Sequence, residues 1–131
     1  MRVAFCILGE CASKANSRVI TGRVRGGSIK SAKALAFERA CALQIPMAAR
    51  VMYPGPVRVI ITIHYRTERN DLDESLVLDA LQARYSKGGQ RHGTCTRLGV
   101  ILNDRQVRER HVYHGIDREN PRASVIVESL S

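Results

Sequence analysis

One stretch of alternating residues, Val57 to Tyr65, constrains the fold more than any other part of the sequence. Every second position in it is apolar or aromatic: Val57, Val59, Ile61, Ile63 and Tyr65. Successive side chains of a β-strand point to opposite faces, so this pattern predicts a strand with one buried face. The opposite face carries Arg58, Thr62 and His64 and therefore meets water in part. Such a strand needs neighbouring strands and a second layer over its apolar face.

Further elements predicted from the sequence supply those neighbours and that layer. Short β-rich runs predict three more strands: Val3–Leu8, Gln106–His114 and Ser124–Leu130. Helical spacing of apolar residues predicts two helices, Ala32–Gln44 with Ser31 as its N-cap and Leu72–Arg84 with Asn70 as its N-cap. The order strand, helix, strand, helix, strand, strand predicts a single α+β domain over residues 1–131. We expect a mixed β-sheet with the two main helices packed on one side.

Length and composition are typical of one globular domain. The chain has 131 residues, of which 44% are hydrophobic and 25% charged, so it is too apolar for a disordered basic tail. Its longest apolar runs are far shorter than the roughly 20 residues of a transmembrane helix, and the N-terminus lacks the features of a signal peptide. Four cysteines without a C-x-x-C pair are expected to stay reduced: Cys6, Cys11, Cys41 and Cys95. We therefore expect a cytoplasmic protein without a membrane partner.

The net charge of +9 favours a polyanionic partner. Lys and Arg side chains that neutralise phosphates release condensed counterions, so a field of this sign favours nucleic acid. The predicted loop from Glu10 to Lys30 is long and non-periodic, and it carries four cations that suit phosphate contacts or a solvated loop: Lys14, Arg18, Arg23 and Arg25. With only four Tyr and two Phe, the chain offers no obvious platform for base stacking. Contact with the nucleic-acid backbone is therefore expected.

Three aspartates are candidate metal ligands. Asp71 and Asp73 lie two residues apart where a strand gives way to a helix, so in extended geometry both carboxylates point the same way. Mg²⁺ prefers oxygen ligands and often takes one or two protein carboxylates together with substrate phosphate oxygens. Asp104 interrupts an apolar run and is a candidate third ligand. The alternative interpretation is that Asp73 is a favourable helix N-terminal charge and Asp104 a turn residue.

Other constellations of chemical groups are weaker. His111 with His114, and His92 with Cys95, are each three residues apart and suggest zinc, but strand residues three apart face opposite sides. The sequence contains no G-x-S-x-G elbow, no P-loop and no Rossmann fingerprint.

Several segments, taken together, resemble the motifs of one known family. In chain order they are Gly9-Glu10 with Ser13–Arg18, similar to a P-x-S-K/N-N-x-R loop; Ser31–Ala40, similar to a first helix; Arg69–Asp73, similar to a basic stretch with D-L-D-N; Leu78–Leu81, similar to a helix with D-A-L; and Leu102–Val107, similar to D-D-x-Q-V. The family is that of the RusA Holliday-junction resolvases. Order and spacing match over nearly the whole chain.

The resemblance implies a small α+β homodimer, often phage- or prophage-encoded, that cuts four-way DNA junctions with Mg²⁺ or Mn²⁺. Carried over by position, the family's metal-binding aspartates become Asp71, Asp73 and Asp104. On this hypothesis, Arg66 and Arg69 contact the scissile or adjacent phosphate. The four loop cations would grip the flanking backbone, and Lys87 is a further candidate for DNA contact.

The sequence departs from the family pattern in three places. Glu74 stands where the family usually has Asn, and Val77 where it has a helix Lys. The spacing from Asp73 to Asp79 is two residues shorter than in the family. The loop from Arg84 to Leu98 is longer, and its cations are candidates to replace that Lys: Arg84, Lys87, Arg91 and Arg97.

The leading hypothesis from the sequence is therefore a metal-dependent, structure-selective endodeoxyribonuclease that resolves four-way junctions by paired nicks during DNA recombination and repair. A non-catalytic relative that binds branched DNA is the first alternative. A basic RNA-binding or assembly protein, in which D-L-D only starts a helix, is the second.

Overall fold

The computed structural model of the protein describes residues 1–13, 18–20, 28–30, 32–68 and 70–130. Eight strands are present in this part of the chain: β1 (Arg2–Leu8), β2 (Arg18–Ile20), β3 (Ser28–Lys30), β4 (Val57–Tyr65), β5 (Arg84–Tyr85), β6 (Cys95–Arg97), β7 (Val107–Ile116) and β8 (Arg122–Ser129). The α-helices are α1 (Ala32–Gln44), α2 (Ser75–Leu81) and α3 (Gly89–His92), and short 3₁₀ turns cover Met47–Ala49 and Asp104–Gln106.

The main sheet has four strands in the order β1-β8-β4-β7. β8 runs antiparallel to both of its neighbours, while β4 and β7 are parallel, so the sheet is mixed as predicted. A register shift between Val57 and Arg58 brings Arg110 of β7 beside Val59 of β4. The remaining strands form two small antiparallel pairs, β2 with β3 and β5 with β6.

The hydrophobic core lies between one face of this sheet and the helices. Residues of β4 alternate strictly between buried and half-buried positions, and the buried set is the one the sequence predicts. Buried side chains of α1 and α2, including Cys41, Val77 and Leu81, belong to the same cluster as Ile61 and Val125 of the sheet. Both main helices therefore pack on one side, which confirms the predicted α+β architecture.

The opposite side of the sheet, here called the open face, is not covered by any helix of the described chain. It is formed by alternate residues of the four strands, and Arg122 of β8 lies at its end opposite Leu8 and His64. Its eleven central residues are Ala4, Cys6 and Leu8 of β1; Ser124 and Ile126 of β8; Ile60, Thr62 and His64 of β4; and His111, Tyr113 and Gly115 of β7. Leu8 and Tyr113 remain more than half exposed there.

Local predictions differ in accuracy. The bounds of α1 and β4 are those predicted, and the three other strands lie within two residues of their predicted ends. The second helix begins at Ser75, three residues after its predicted start, and the predicted N-cap, Asn70, lies outside it. Glu10–Lys30 is not wholly irregular, since it contains β2 and β3. Ser31 lies outside the described residues. No helix in the described ranges is long and apolar enough to cross a membrane.

Candidate active site

The segment that leads into α2 is held in place by the phenol of Tyr65 at the end of β4. Its hydroxyl donates a hydrogen bond to the carbonyl oxygen of Asp71 at 3.1 Å and accepts one from the backbone N–H of Asp73 at 3.2 Å. The Tyr65 side chain is buried, and burial raises the pKa of the phenol to about 12, with Cys11, Asp73 and Glu74 adding to that direction. A neutral phenol therefore positions the two residues of the D-L-D motif.

The Asp73 carboxylate has defined partners. One oxygen, Oδ1, accepts a hydrogen bond from the backbone N–H of Ser75 at 2.9 Å, and Oδ2 accepts one from Ser13 Oγ at 3.1 Å. The first bond satisfies a free N–H at the start of α2, so the helix N-terminal interpretation of Asp73 is confirmed in part.

Two more acidic groups lie beside Asp73 in the chain. The Asp71 side chain is exposed, whereas the Glu74 side chain is only 18% exposed. Glu74 Oε1 lies 3.5 Å from Nη1 of Arg110, which reaches the start of α2 from strand β7. An arginine therefore stands next to the acidic segment.

Asp104, the third predicted ligand, lies in the 3₁₀ turn that precedes β7. A capping box fixes this turn, because Asn103 Oδ1 accepts from Arg105 N while Gln106 Oε1 accepts from the backbone N–H of Asn103. The Asp104 side chain is exposed and lines an open cavity of about 270 Å³ with Leu78, Val107, Arg108 and Arg110. Asp104 is therefore a turn residue, as its alternative interpretation states. Arg110 lines the same cavity as Asp104 and also lies next to Glu74.

Whether these residues fit a metal ion depends on donor chemistry and on position. Carboxylate oxygens are the donors that Mg²⁺ and Mn²⁺ take, and one or two of them are sufficient when phosphate oxygens complete the shell. Across the described ranges, no three His, Cys, Asp or Glu side chains lie close enough together to hold a metal ion. The donor chemistry of Asp71 and Asp73 therefore suits such an ion, while within the described ranges Asp104 is not gathered with them.

The predicted DNA-contacting cations have different placements. Arg66 is exposed directly after β4, where its backbone N–H donates to Glu10 Oε2 at 2.8 Å, and Lys87 is exposed between β5 and α3. Arg18 begins β2. Lys14, Arg23, Arg25 and Arg69 lie outside the described residues.

Two contributors to the site were absent from the sequence predictions, Tyr65 as its positioning group and Arg110 as its cation. Tyr65 was predicted only as a core residue of β4. Arg110 faces the helices only because of the register shift between β4 and β7, which no local pattern in the sequence shows. Of the loop cations proposed to replace the helix lysine, Arg84 and Arg97 instead line a cavity with Glu38 of α1, beyond the C-terminal end of α2.

Comparison of the chain with models of known families and with characterised proteins finds no match.

Proposed function

We propose that the protein is a metal-dependent endonuclease of the RusA type that acts on branched double-stranded DNA. The observation that carries this proposal is the pair Asp71 and Asp73, held by one buried tyrosine at the start of a helix and flanked by Arg110. The chain has a net charge of +9, which suits a DNA-binding surface. Acidic side chains on such a surface repel the DNA phosphates unless a cation neutralises them.

Asp71 and Asp73 would hold Mg²⁺ or Mn²⁺, with the DNA phosphate supplying further oxygens; Asp104, the third ligand that the resemblance implies, is not gathered with them in the described chain. The bound ion would acidify a water and stabilise the charge that develops on the attacked phosphate. Tyr65 keeps the two aspartates in register, Ser13 orients the Asp73 carboxylate, and Arg66 contacts a neighbouring phosphate. Contacts to phosphates of the DNA backbone, such as that of Arg66, impart no sequence preference of their own.

Arg110 is the cation that we assign to this site in place of the family's helix lysine. Its guanidinium lies against Glu74 and lines the Asp104 cavity, so it can offer charge-assisted hydrogen bonds to a phosphate at that position. Arg110→Gln should lower the cleavage rate at least about tenfold, because one charge-assisted contact to the transition state is lost. Arg118→Gln, which alters an exposed arginine in the turn between β7 and β8 and outside this cavity, is its matched control.

A non-catalytic branched-DNA-binding protein is the second candidate function. It is favoured by one observation, namely that the described chain does not gather the three aspartates into one metal-binding group. In that case the acidic segment only starts α2, and the basic surface performs the binding.

We assign the open face to contact with a second copy of this chain. A four-way junction has approximate two-fold symmetry, and a two-fold dimer places one active site on each of two strands. The eleven central residues of the open face carry no formal charge with histidine neutral, in a chain whose net charge is +9. Arg122, which lies on the same face opposite Leu8 and His64, is paired with Asp117. At its margin Arg58 is paired with Glu109 and Glu128, so two copies can meet there without strong repulsion.

The cleavage experiment uses a labelled four-way junction with and without Mg²⁺ or Mn²⁺, with Asp73→Asn as the test variant. The isosteric amide can still accept from Ser75 N and can donate to Ser13 Oγ, so the fold should survive while the charge is lost. Paired nicks that require metal and disappear in Asp73→Asn support the nuclease. Glu119→Gln, which alters an exposed acid in the turn between β7 and β8, should cleave normally.

Tight junction binding without cleavage under either metal would establish the non-catalytic candidate instead. Equal competition by linear duplex would refute branch selectivity. The dimer is tested by analytical ultracentrifugation of Tyr113→Arg, on the open face, beside Leu43→Arg, an exposed apolar residue of α1. Only Tyr113→Arg should sediment as a monomer and give unpaired nicks; a monomeric wild type would exclude the dimer.

A further inference from the structure

A cluster of arginines surrounds two adjoining cavities between α1 and the β5–β6 pair. The first cavity measures about 330 Å³ and is lined by Leu35, Glu38, Arg39, Arg84 and Arg97. The second measures about 300 Å³ and is lined by Arg39, Ala42, Leu43, Arg50 and Arg97. Arg39 and Arg97 line both. Each volume is far above the roughly 10–15 Å³ that one water molecule needs, so a small hydrated anion can enter.

Arg97 is the unusual member of this cluster. Its Nε and Nη2 atoms are buried and have no hydrogen-bond partner within the described chain. Buried guanidinium donors without acceptors are costly, and native proteins rarely leave them so. One other buried side-chain atom in the described residues lacks a hydrogen-bond partner, Nδ1 of His64 on the open face. Two donor atoms of Arg97 therefore lack hydrogen-bond acceptors.

The neighbouring arginines cannot accept these hydrogen bonds, because a guanidinium group only donates. Two of them, Arg84 and Arg50, already have partners of their own. Arg84 Nη2 pairs with Glu38 Oε1, the buried carboxylate of α1, which is 6% exposed. Arg50 donates from Nη1 to the carbonyl oxygen of Leu98 at 2.6 Å and from Nη2 to that of Ala42. With one carboxylate against four guanidinium groups, the cluster has a net charge of 4 − 1 = +3.

Electrostatics act in the same direction. Burial lowers the pKa of the Arg97 guanidinium, and the nearby charges of Arg84 and Arg50 lower it further, while Glu38 alone opposes them. A bound anion would relieve both the repulsion and the missing hydrogen bonds. The planar fork of a guanidinium matches the oxygens of a phosphate group in particular.

We propose that the cavity around Arg97 is a binding site for a phosphate group. Arg97 supplies Nε and Nη2 to the phosphate oxygens, and the exposed Arg39 closes over it from α1. This site lies at the C-terminal end of α2, whose seven residues, about 10 Å of helix, separate it from Asp73. It does not depend on the proposed nuclease activity. Free phosphate and a phosphate of the nucleic-acid backbone share this chemistry.

The experiment measures the thermal unfolding midpoint in phosphate-free buffer and with added inorganic phosphate, with sodium chloride keeping the ionic strength constant. The midpoint of the wild-type protein should rise with phosphate. Arg97→Met removes a half-buried, repelled charge, so its midpoint should be higher than wild type without phosphate and should hardly respond to it. Arg118→Met, an exposed arginine in the turn between β7 and β8, should behave as wild type.

Arg39→Gln tests the site without altering a buried group. Its phosphate affinity, measured by calorimetry, should fall about tenfold, because one charge-assisted contact is lost. A second arm titrates duplex DNA at several salt concentrations. If the site takes a backbone phosphate, Arg97→Met weakens DNA binding and lowers the salt slope by about one. If it takes free phosphate, DNA binding is unchanged.

The opposite results would overturn the proposal. Two results together exclude the site: the thermal unfolding midpoint of the wild type does not respond to phosphate at constant ionic strength, and DNA binding is unchanged in Arg97→Met. An equal phosphate response in wild type, Arg97→Met and Arg39→Gln excludes it as well. All readouts are independent of metal and cleavage, so they stand whether or not the nuclease assay succeeds.

Discussion

The phenol oxygen of Tyr65 lies 3.2 Å from the backbone nitrogen of Asp73, which donates a hydrogen bond to it. The same hydroxyl donates to the carbonyl oxygen of Asp71, so one side chain from the sheet fixes both ends of the D-L-D motif. The buried end of β4 is thereby connected to the position of the acidic pair. A mutation that leaves the carboxylates in place should still affect the site.

Tyr65→Phe removes these two hydrogen bonds and keeps the ring in the core. We expect a loss of about 1–2 kcal/mol in unfolding free energy, because the partner groups are half-buried. Cleavage of a four-way junction should fall more than DNA binding, since only the carboxylates move. Chemical denaturation and single-turnover kinetics measure the two effects. Unchanged cleavage in a correctly folded Tyr65→Phe would remove Tyr65 from the site.

Alkaline pH should destabilise the fold through its buried acids. Burial raises the pKa of the Cys41 thiol from 9 to about 12, and the charge of Glu38 adds to this; the pKa of Tyr65 is raised from 10 to about 12. Both groups favour the protonated folded state, so their stabilisation is complete below pH 9 and is lost as pH rises from 9 towards 12. Each contributes a slope of about 1.4 kcal/mol per pH unit between its two pKa values.

Urea denaturation at pH 8, 9, 10 and 11 measures this slope. Cys41→Ala should decline less steeply between pH 9 and 10 than wild type, because the unfolded thiol no longer ionises. Cys6→Ala, which alters an exposed cysteine on β1, should follow the wild-type curve. A flat wild-type curve from pH 8 to 11 would contradict the assignment.

The predictable parts of the fold are those that local patterns encode. Strict alternation defines β4, and Pro46 ends the helical spacing of α1, so both were predicted to the residue. The start of α2 was not, because Asp73 rather than Asn70 accepts from the first free N–H and Tyr65 holds residues 71–73 outside the helix. The burial of Glu38 also depends on a distant partner, Arg84, 46 residues away in the chain.

The candidate site follows the same division. The acidic pair and the basic surroundings are visible in the sequence, because they lie in one segment. Arg110 reaches Glu74 only through the parallel register of β7 with its shift at Val57 and Arg58. That register is set by pairing between residues about fifty positions apart in the chain, which a local pattern does not contain.

Gly99 is expected to tolerate no side chain. A Cβ at this position would lie 2.3 Å from the backbone nitrogen of Ala83 and 2.6 Å from the Leu81 carbonyl oxygen, at the end of α2. Gly99→Ala should therefore cost about 3 kcal/mol of unfolding free energy, because backbone must move. At Gly115 the obstacle is the His64 side chain, so Gly115→Ala should cost about 1 kcal/mol. Denaturant titration of both variants measures which one loses more unfolding free energy. An equal loss would show that the backbone approach at Gly99 is not tight.

Glu38 balances the arginine cluster, and its removal should expose how much that balance contributes. Glu38→Gln leaves Arg84 and the half-buried Arg97 without their nearest negative charge. We therefore expect a loss of about 2–3 kcal/mol in unfolding free energy, less than for a fully buried pair because Arg84 is 45% exposed. Glu68→Gln, an exposed acid after β4, should cost almost nothing. Adding inorganic phosphate should raise the midpoint of Glu38→Gln more than that of wild type, since an anion in the cavity replaces the missing charge. A smaller response than wild type would mean that Glu38 holds Arg97 in its binding position rather than merely offsetting its charge.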